Sequence, residues 1–182
     1  DLFWHSLPFK IIFNDGFKAL EAGCGSGIYG NFLKTISNFT SYKGIDINEK
    51  DSWKADNVNF NFYKDTCYNV GKYLHDTNFL FTQSALEHFD RDLDFHQHVN
   101  NFIKNNINNN KKFFQLHLVP SGQCLFSYLA HGYRHYTPNT ISKISSLYSD
   151  GQNTRFILFE LGSKNSWLMH IKCITLAKFF SF

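Results

Sequence analysis

At 182 residues, with 43% hydrophobic and 18% aromatic content, the chain is long enough to bury a core of its own and too short for two ordinary domains. The expectation is one domain over 1–182. Eighteen Lys and Arg against fifteen Asp and Glu give +3. No basic run exceeds a Lys pair, so the electrostatic footprint of a nucleic-acid binder is missing and a small-molecule partner fits better.

The chain starts at Asp1 without a basic-then-apolar leader, so no signal peptide is expected, with a trimmed or partial chain as the alternative. "FKALEAG" (17–23) reads as a short buried strand, and after the glycines Ile28, Phe32, Leu33 and Ile36 recur at helical spacing. "YKGIDIN" reads as a second strand, "VNFNFYKD" as a third with period-2 alternation, and "NFLFTQS" as a fourth. Phe95, Val99, Phe102 and Ile103 mark an amphipathic helix that the Asn-rich run terminates; "KKFFQLHLV" is then a fifth strand ending at Pro120, and "TRFILFELG" a sixth. "YTPNTISKI" opens a helix with Thr137 as N-cap and Pro138 in its first turn. "WLMHIKCITLAKFFSF" is too short and too often interrupted by charge to span a bilayer. A packed terminal helix is expected there, with peripheral membrane contact as the alternative.

Strand, helix, strand in this order predicts an α/β fold: a Rossmann-like, doubly wound, mostly parallel sheet with helices on both faces. In such sheets ligands bind beyond the carboxyl ends of the strands, where the strand order reverses. Four cysteines, far apart and without a Cys-x-x-Cys pair, suit neither a zinc site nor a disulfide framework, so a reducing, cytoplasmic setting is expected and no metal site.

The chemistry concentrates at "EAGCGSGIYG". Gly23, Gly25 and Gly27 follow the first strand and open a helix, where glycine permits positive φ and removes the Cβ that would hold a ligand away. From Gly25 the pattern matches the G-x-G-x-x-G dinucleotide fingerprint, which keeps an NAD-dependent oxidoreductase open. If Gly23 is the first glycine instead, that fingerprint requires glycine or alanine at Ile28 and fails. A carboxylate at Glu21 would also repel a pyrophosphate and suit a cationic ligand.

Read from Glu21, "EAGCGSG" resembles the first motif of the class I S-adenosylmethionine-dependent methyltransferases. The resemblance covers 17–119, the expected cofactor-binding half, and leaves 120–182 as the substrate-side and C-terminal segment. It implies S-adenosyl-L-methionine as cofactor, with Glu21, Gly23, Gly25 and Gly27 around its methionine end and Asp46 of "GIDIN" on its ribose hydroxyls. Asp65 and Thr66 of "NFYKDT" fall at the adenine position. "FLFTQSALEHF" resembles the segment after the fourth strand in small-molecule methyltransferases, which adds Gln83 to the cofactor set. The family's seventh, antiparallel strand is not evident. "HLVPS" and "HGYRHYTP" resemble a group of bacterial methyltransferase-domain proteins, an association that suggests a cell-envelope sugar.

The expected activity is methyl transfer to an oxygen of a small molecule or sugar, by in-line displacement without metal. His88 is the candidate base, Glu87 its neighbour for orientation or substrate, and His117 the alternative base. His131, Tyr133, Arg134 and Tyr136, dense polar aromatics before a proline, are the candidate substrate residues. A non-catalytic relative in envelope assembly is the remaining alternative.

Overall fold

The computed structural model describes residues 2–54, 58–106, 111–122, 134–149 and 154–161. They fall into two compact units, Asp1–Leu118 and Val119–Phe182.

The first unit opens with two short helices, α1 (Leu2–Ser6) and α2 (Phe9–Ile12), for which the sequence showed no periodic signal. There follow β1 (Phe17–Ala22), α3 (Ile28–Leu33), β2 (Phe39–Asp46), β3 (Phe60–Lys64), β4 (Phe79–Gln83), α4 (Asp92–Asn106) and β5 (Phe114–Leu118). All neighbouring strands pair in parallel, in the order β3-β2-β1-β4-β5. The order reverses between β1 and β4, where the chain returns to the middle of the sheet. This is the α/β, Rossmann-like arrangement expected.

Side-chain alternation sends the two faces of the sheet to different helices. On one face Phe17 and Ala19 of β1, Tyr42 of β2, and Phe79 and Phe81 of β4 join Trp4, Phe9 and Phe13 of the N-terminal segment and Leu33 of α3 in one buried cluster. Its aromatic rings touch directly: Phe9 stacks on Phe17 at 4.7 Å and Trp4 meets Phe81 edge-on at 5.1 Å. Each such side chain contributes about 1.5–3 kcal/mol by leaving water, so the N-terminal helices belong to the core. On the other face α4 buries Phe95, His96, Val99 and Asn100 at helical spacing, with Phe95 and His96 against His117 of β5.

Three expectations need correction. Ile28 is 64% exposed because it is the first residue of α3, placed by the glycine turn before the helix reaches the core. α3 itself stops at Leu33, so Ile36 lies beyond it. Residues 154–161, expected as a sixth strand, have neither helix nor ladder pairing, and Phe156, Ile157, Leu158, Phe159 and Leu161 are all exposed. β-branched and aromatic composition favours a strand only when a partner edge receives it.

In the second unit α5 (Pro138–Tyr148) begins as expected: the Thr137 hydroxyl accepts from the Thr140 N–H at 3.3 Å and Pro138 stands in the first turn. The Ile144 and Tyr148 side chains of α5 are buried. The expected terminal helix over 167–182, together with Cys124 and Cys173, lies outside the described residues, among which no helix is long and apolar enough to cross a membrane.

Candidate functional site

The turn after β1 is built from three glycines that serve three different ends. Gly23, Gly25 and Gly27 all have positive φ, at 77°, 51° and 75°, a region costly for residues with a Cβ. A Cβ on Gly23 would lie 2.5 Å from the Cβ of Ala85, and one on Gly27 would lie 2.5 Å from the ring of Phe62. Those two glycines let β4 and β3 approach. A Cβ on Gly25 would meet nothing within 4 Å. Gly25 alone faces open space, at the carboxyl end of β1 beside the reversal of strand order.

Asp46 ends β2 next to this turn. Its Oδ2 accepts from the Gly25 N–H at 2.8 Å and its Oδ1 from the Asn48 N–H at 2.9 Å. A carboxylate offers about four acceptor positions, so two remain for hydroxyl donors from a ligand. Ile47, the next residue, is 64% exposed.

Glu21 does not face the open side of the turn. Its carboxyl is 1% exposed and Oε2 accepts from the Tyr42 hydroxyl at 2.5 Å, in the aromatic core beside Cys24. Desolvation raises its pKa to about 8, against the lowering effect of the Tyr42 bond and with a smaller contribution from the Asp46 charge. At neutral pH the group is mainly the neutral acid. The carboxylate expected at the cationic end of a ligand is therefore a buried support of the strand end. The same burial pushes the Cys24 thiol and the Tyr42 hydroxyl well up, so neither ionises near neutrality.

Asp65 follows β3 as expected, with its oxygens already in use. Oδ1 accepts from the Thr66 N–H and the Asn69 amide, each at 2.7 Å, and Oδ2 accepts from the Tyr73 hydroxyl at 2.7 Å with Lys72 at 3.6 Å. These donors, the Asn69 bond foremost, hold its pKa at about 2. Thr66 caps the short 3-10 turn Cys67–Lys72, accepting from the Tyr68 N–H at 3.4 Å. Both residues order the segment after β3.

Beyond β4, Ser84 sits at φ 48°, unusual for a residue with a side chain, and turns the chain so that Ala85 meets Gly23. Gln83 accepts at Oε1 from the Trp4 indole N–H at 3.0 Å, which ties α1 to the end of β4. The 3-10 turn Leu86–His88 then separates its two candidates: Glu87 is 7% exposed, and His88 is exposed to solvent. His117 lies on the α4 face. Its Nδ1 is 3.0 Å from Thr82 Oγ1, its ring is edge-on to His96 at 5.0 Å, and desolvation followed by His96 holds its pKa well below the usual value. His117 is half-buried, and an imidazole held neutral against His96 and Thr82 is a poor base.

Among the substrate candidates, His131 and Tyr133 lie outside the described residues. Tyr136 is 4% exposed, contrary to the expected binding loop, whereas Arg134 is half-buried.

Trp53 and Ser52, missed in the sequence, complete the turn. They belong to a 3-10 turn over Asp51–Lys54; the Trp53 indole N–H donates to the Gly25 carbonyl at 2.8 Å and the Ser52 hydroxyl to the Ser26 carbonyl at 2.9 Å. A lone tryptophan in the polar run "NEKDSWK" was the available signal.

No family model and no curated protein sequence matches the chain. Solved structures do. A SAM-dependent methyltransferase from Archaeoglobus fulgidus superposes with a TM-score of 0.54 at 19% identity, over 88% of this chain and 79% of that one. The methyltransferase domain of bacterial CtHen1-CN gives 0.52 at 12% identity, over 76% and 80%. The [4+2]-cyclase SpnF also gives 0.52, at 10% identity over 76% and 54%. The five parallel strands, the reversal between β1 and β4 and these superpositions together give the chain the class I S-adenosylmethionine-dependent methyltransferase fold.

Proposed function

We propose that the protein, as a single methyltransferase domain, transfers a methyl group from S-adenosylmethionine to an oxygen of a small molecule or sugar, without metal. The observation that carries this is Gly25: open where its sister glycines are closed, with its N–H on a carboxylate that keeps two acceptor positions. The Gly25 backbone and Asp46 would hold the donor, with Asp65, Thr66 and Gln83 bordering its far side and the end of β4.

The donor supplies a methyl on a positively charged sulfur, ready for in-line displacement. The chain's own task is alignment and exclusion of water, and orientation alone supplies roughly 7–11 kcal/mol. As the acceptor oxygen bonds to the methyl carbon, its proton must leave. His88, the exposed imidazole after β4, is the group proposed to take it, with Glu87 supporting the turn from inside. Arg134, with His131 and Tyr133 of the same sequence cluster, is proposed to contact the acceptor, for which an envelope sugar is the first candidate. The scattered cysteines, Cys24 and Cys67 being free thiols, support a cytoplasmic site of action.

A non-methylating use of the site is the second reading, favoured by the [4+2]-cyclase of similar fold. Calorimetric titration with S-adenosylhomocysteine tests the first. Saturable binding, at least about tenfold weaker in Asp46→Ala, is expected from the loss of a charged acceptor. Folded wild-type protein that gives no binding heat sinks the proposal, and a thermal shift with NADH alone would redirect it to an oxidoreductase. Binding without methylation across a panel of hydroxyl acceptors favours the second reading.

A further inference from the structure

A turn with three glycines at positive φ is, taken alone, a floppy cradle, since glycine loses more conformational freedom on ordering than any other residue. Here the segment after β2 claims its peptide groups one by one. Asp46 takes the Gly25 N–H, Trp53 gives its indole N–H to the Gly25 carbonyl, and Ser52 gives its hydroxyl to the Ser26 carbonyl. Both backbone polar groups of Gly25 are thereby fixed from residues 21 to 28 positions away in sequence.

Trp53 is itself held in place. Its ring stacks on Phe62 with centroids 5.2 Å apart and planes 7° from parallel, and Phe62 fills the space where a Cβ on Gly27 would go. Glycine turn, Phe62 and Trp53 form one interlocked layer, so the indole N–H is presented in a set direction.

We propose that Trp53 is a positioning residue for the cofactor site, on the methyltransferase reading given above. It presets the Gly25 peptide groups before a ligand arrives, so that ordering of the turn is not charged against binding. It acts through the glycine turn and need not touch the ligand.

The variant that tests this is Trp53→Phe, which keeps an aromatic ring on Phe62 and removes the donor together with part of the indole's area. Amide hydrogen exchange on the ligand-free full chain is the first readout. Exchange at Gly25 and Gly27, whose N–H groups bond to Asp46 and to the Cys24 carbonyl at 2.8 Å each, is expected to quicken about tenfold, with β1 and β4 unchanged. S-adenosylhomocysteine calorimetry is the second, with an expected Kd about tenfold weaker at unchanged stoichiometry. Ser52→Ala is expected to move both readouts in the same direction and by less, and serves if the tryptophan variant misfolds.

Unchanged exchange in a folded Trp53→Phe protein overturns the proposal whatever the ligand does. Faster exchange with an unaltered Kd also overturns it, because the clamp would then be structural only. If wild-type protein shows no S-adenosylhomocysteine binding while exchange responds, the cofactor reading has failed, and the positioning role falls with it.

Discussion

The hydroxyl of Tyr42 donates to Oε2 of Glu21 at 2.5 Å, inside the aromatic core at the base of the glycine turn. The pair makes the end of β1 a proton-linked element. The folded carboxyl titrates near 8 and its ordinary value is 4.5, so the native state keeps a proton that the unfolded chain releases.

Stability from this group is complete below about pH 4.5 and is lost as pH rises through the native value near 8. Within that window the slope approaches about 1.4 kcal/mol per pH unit. Glu21→Gln keeps an acceptor for Tyr42 and carries no proton, so it is expected to be the more stable protein at pH 8, by a few kcal/mol on the order set by that slope. Urea midpoints of both proteins at pH 5 and pH 8 decide it. Parallel pH profiles would show that Glu21 is ionised in the native core.

The opposite sign holds on the α4 face. His96, with a pKa lowered to about 4 chiefly by burial, and His117, also held well below its usual value, bind fewer protons folded than unfolded. Stability present above about 6.5 is therefore lost as pH falls through 4. Asp92, whose charge raises the His96 value, opposes this in part. His96→Leu is expected to flatten the profile between pH 6.5 and 4, whatever it does to absolute stability; denaturant titration through that range is the measurement. An acid limb as steep as that of wild type would sink the assignment.

The glycines separate packing from binding. Gly23→Ala and Gly27→Ala each force a Cβ to 2.5 Å from a neighbour on top of an unfavourable φ, and are expected to cost more than about 2 kcal/mol by strain and overpacking. Gly25→Ala meets no neighbour and should cost about 1–2 kcal/mol from φ alone. It should nonetheless be the variant that loses S-adenosylhomocysteine binding at least about tenfold, because its methyl fills the open side. Thermal melts and calorimetry on the three proteins test the order. A Gly25→Ala protein that binds like wild type removes Gly25 from the site.

Thr137 gives a local test in the second unit. Its hydroxyl caps α5 through the Thr140 N–H at 3.3 Å, and Thr137→Ala is expected to cost about 1 kcal/mol. Amide exchange over 138–142 reports it, and unchanged protection would mean that the exposed cap contributes little.

The five strands, the glycine turn and the place of Asp46 at the end of β2 were legible in the sequence because each is written locally. Short apolar runs bounded by turn residues make strands, helical spacing makes α4, and a parallel sheet follows from their alternation. The same local grammar failed at 154–161, where strand-like composition has no ladder partner. It was silent about α1 and α2, whose few apolar residues only become informative as Trp4, Phe9 and Phe13 close the sheet face.

What the sequence determined by itself was therefore the fold and where its candidate residues fall: glycines after β1, a carboxylate after β2, polar residues after β4. Only the tertiary structure decided what each group does there. Burial against Tyr42 turned Glu21 from an expected charge into a neutral acid, contact with His96 of α4 kept the His117 imidazole neutral, and Trp53 joined the turn across 28 positions of sequence. Periodicity sees residues a few positions apart, whereas desolvation and hydrogen bonding depend on neighbours that crossovers bring together from distant parts of the chain.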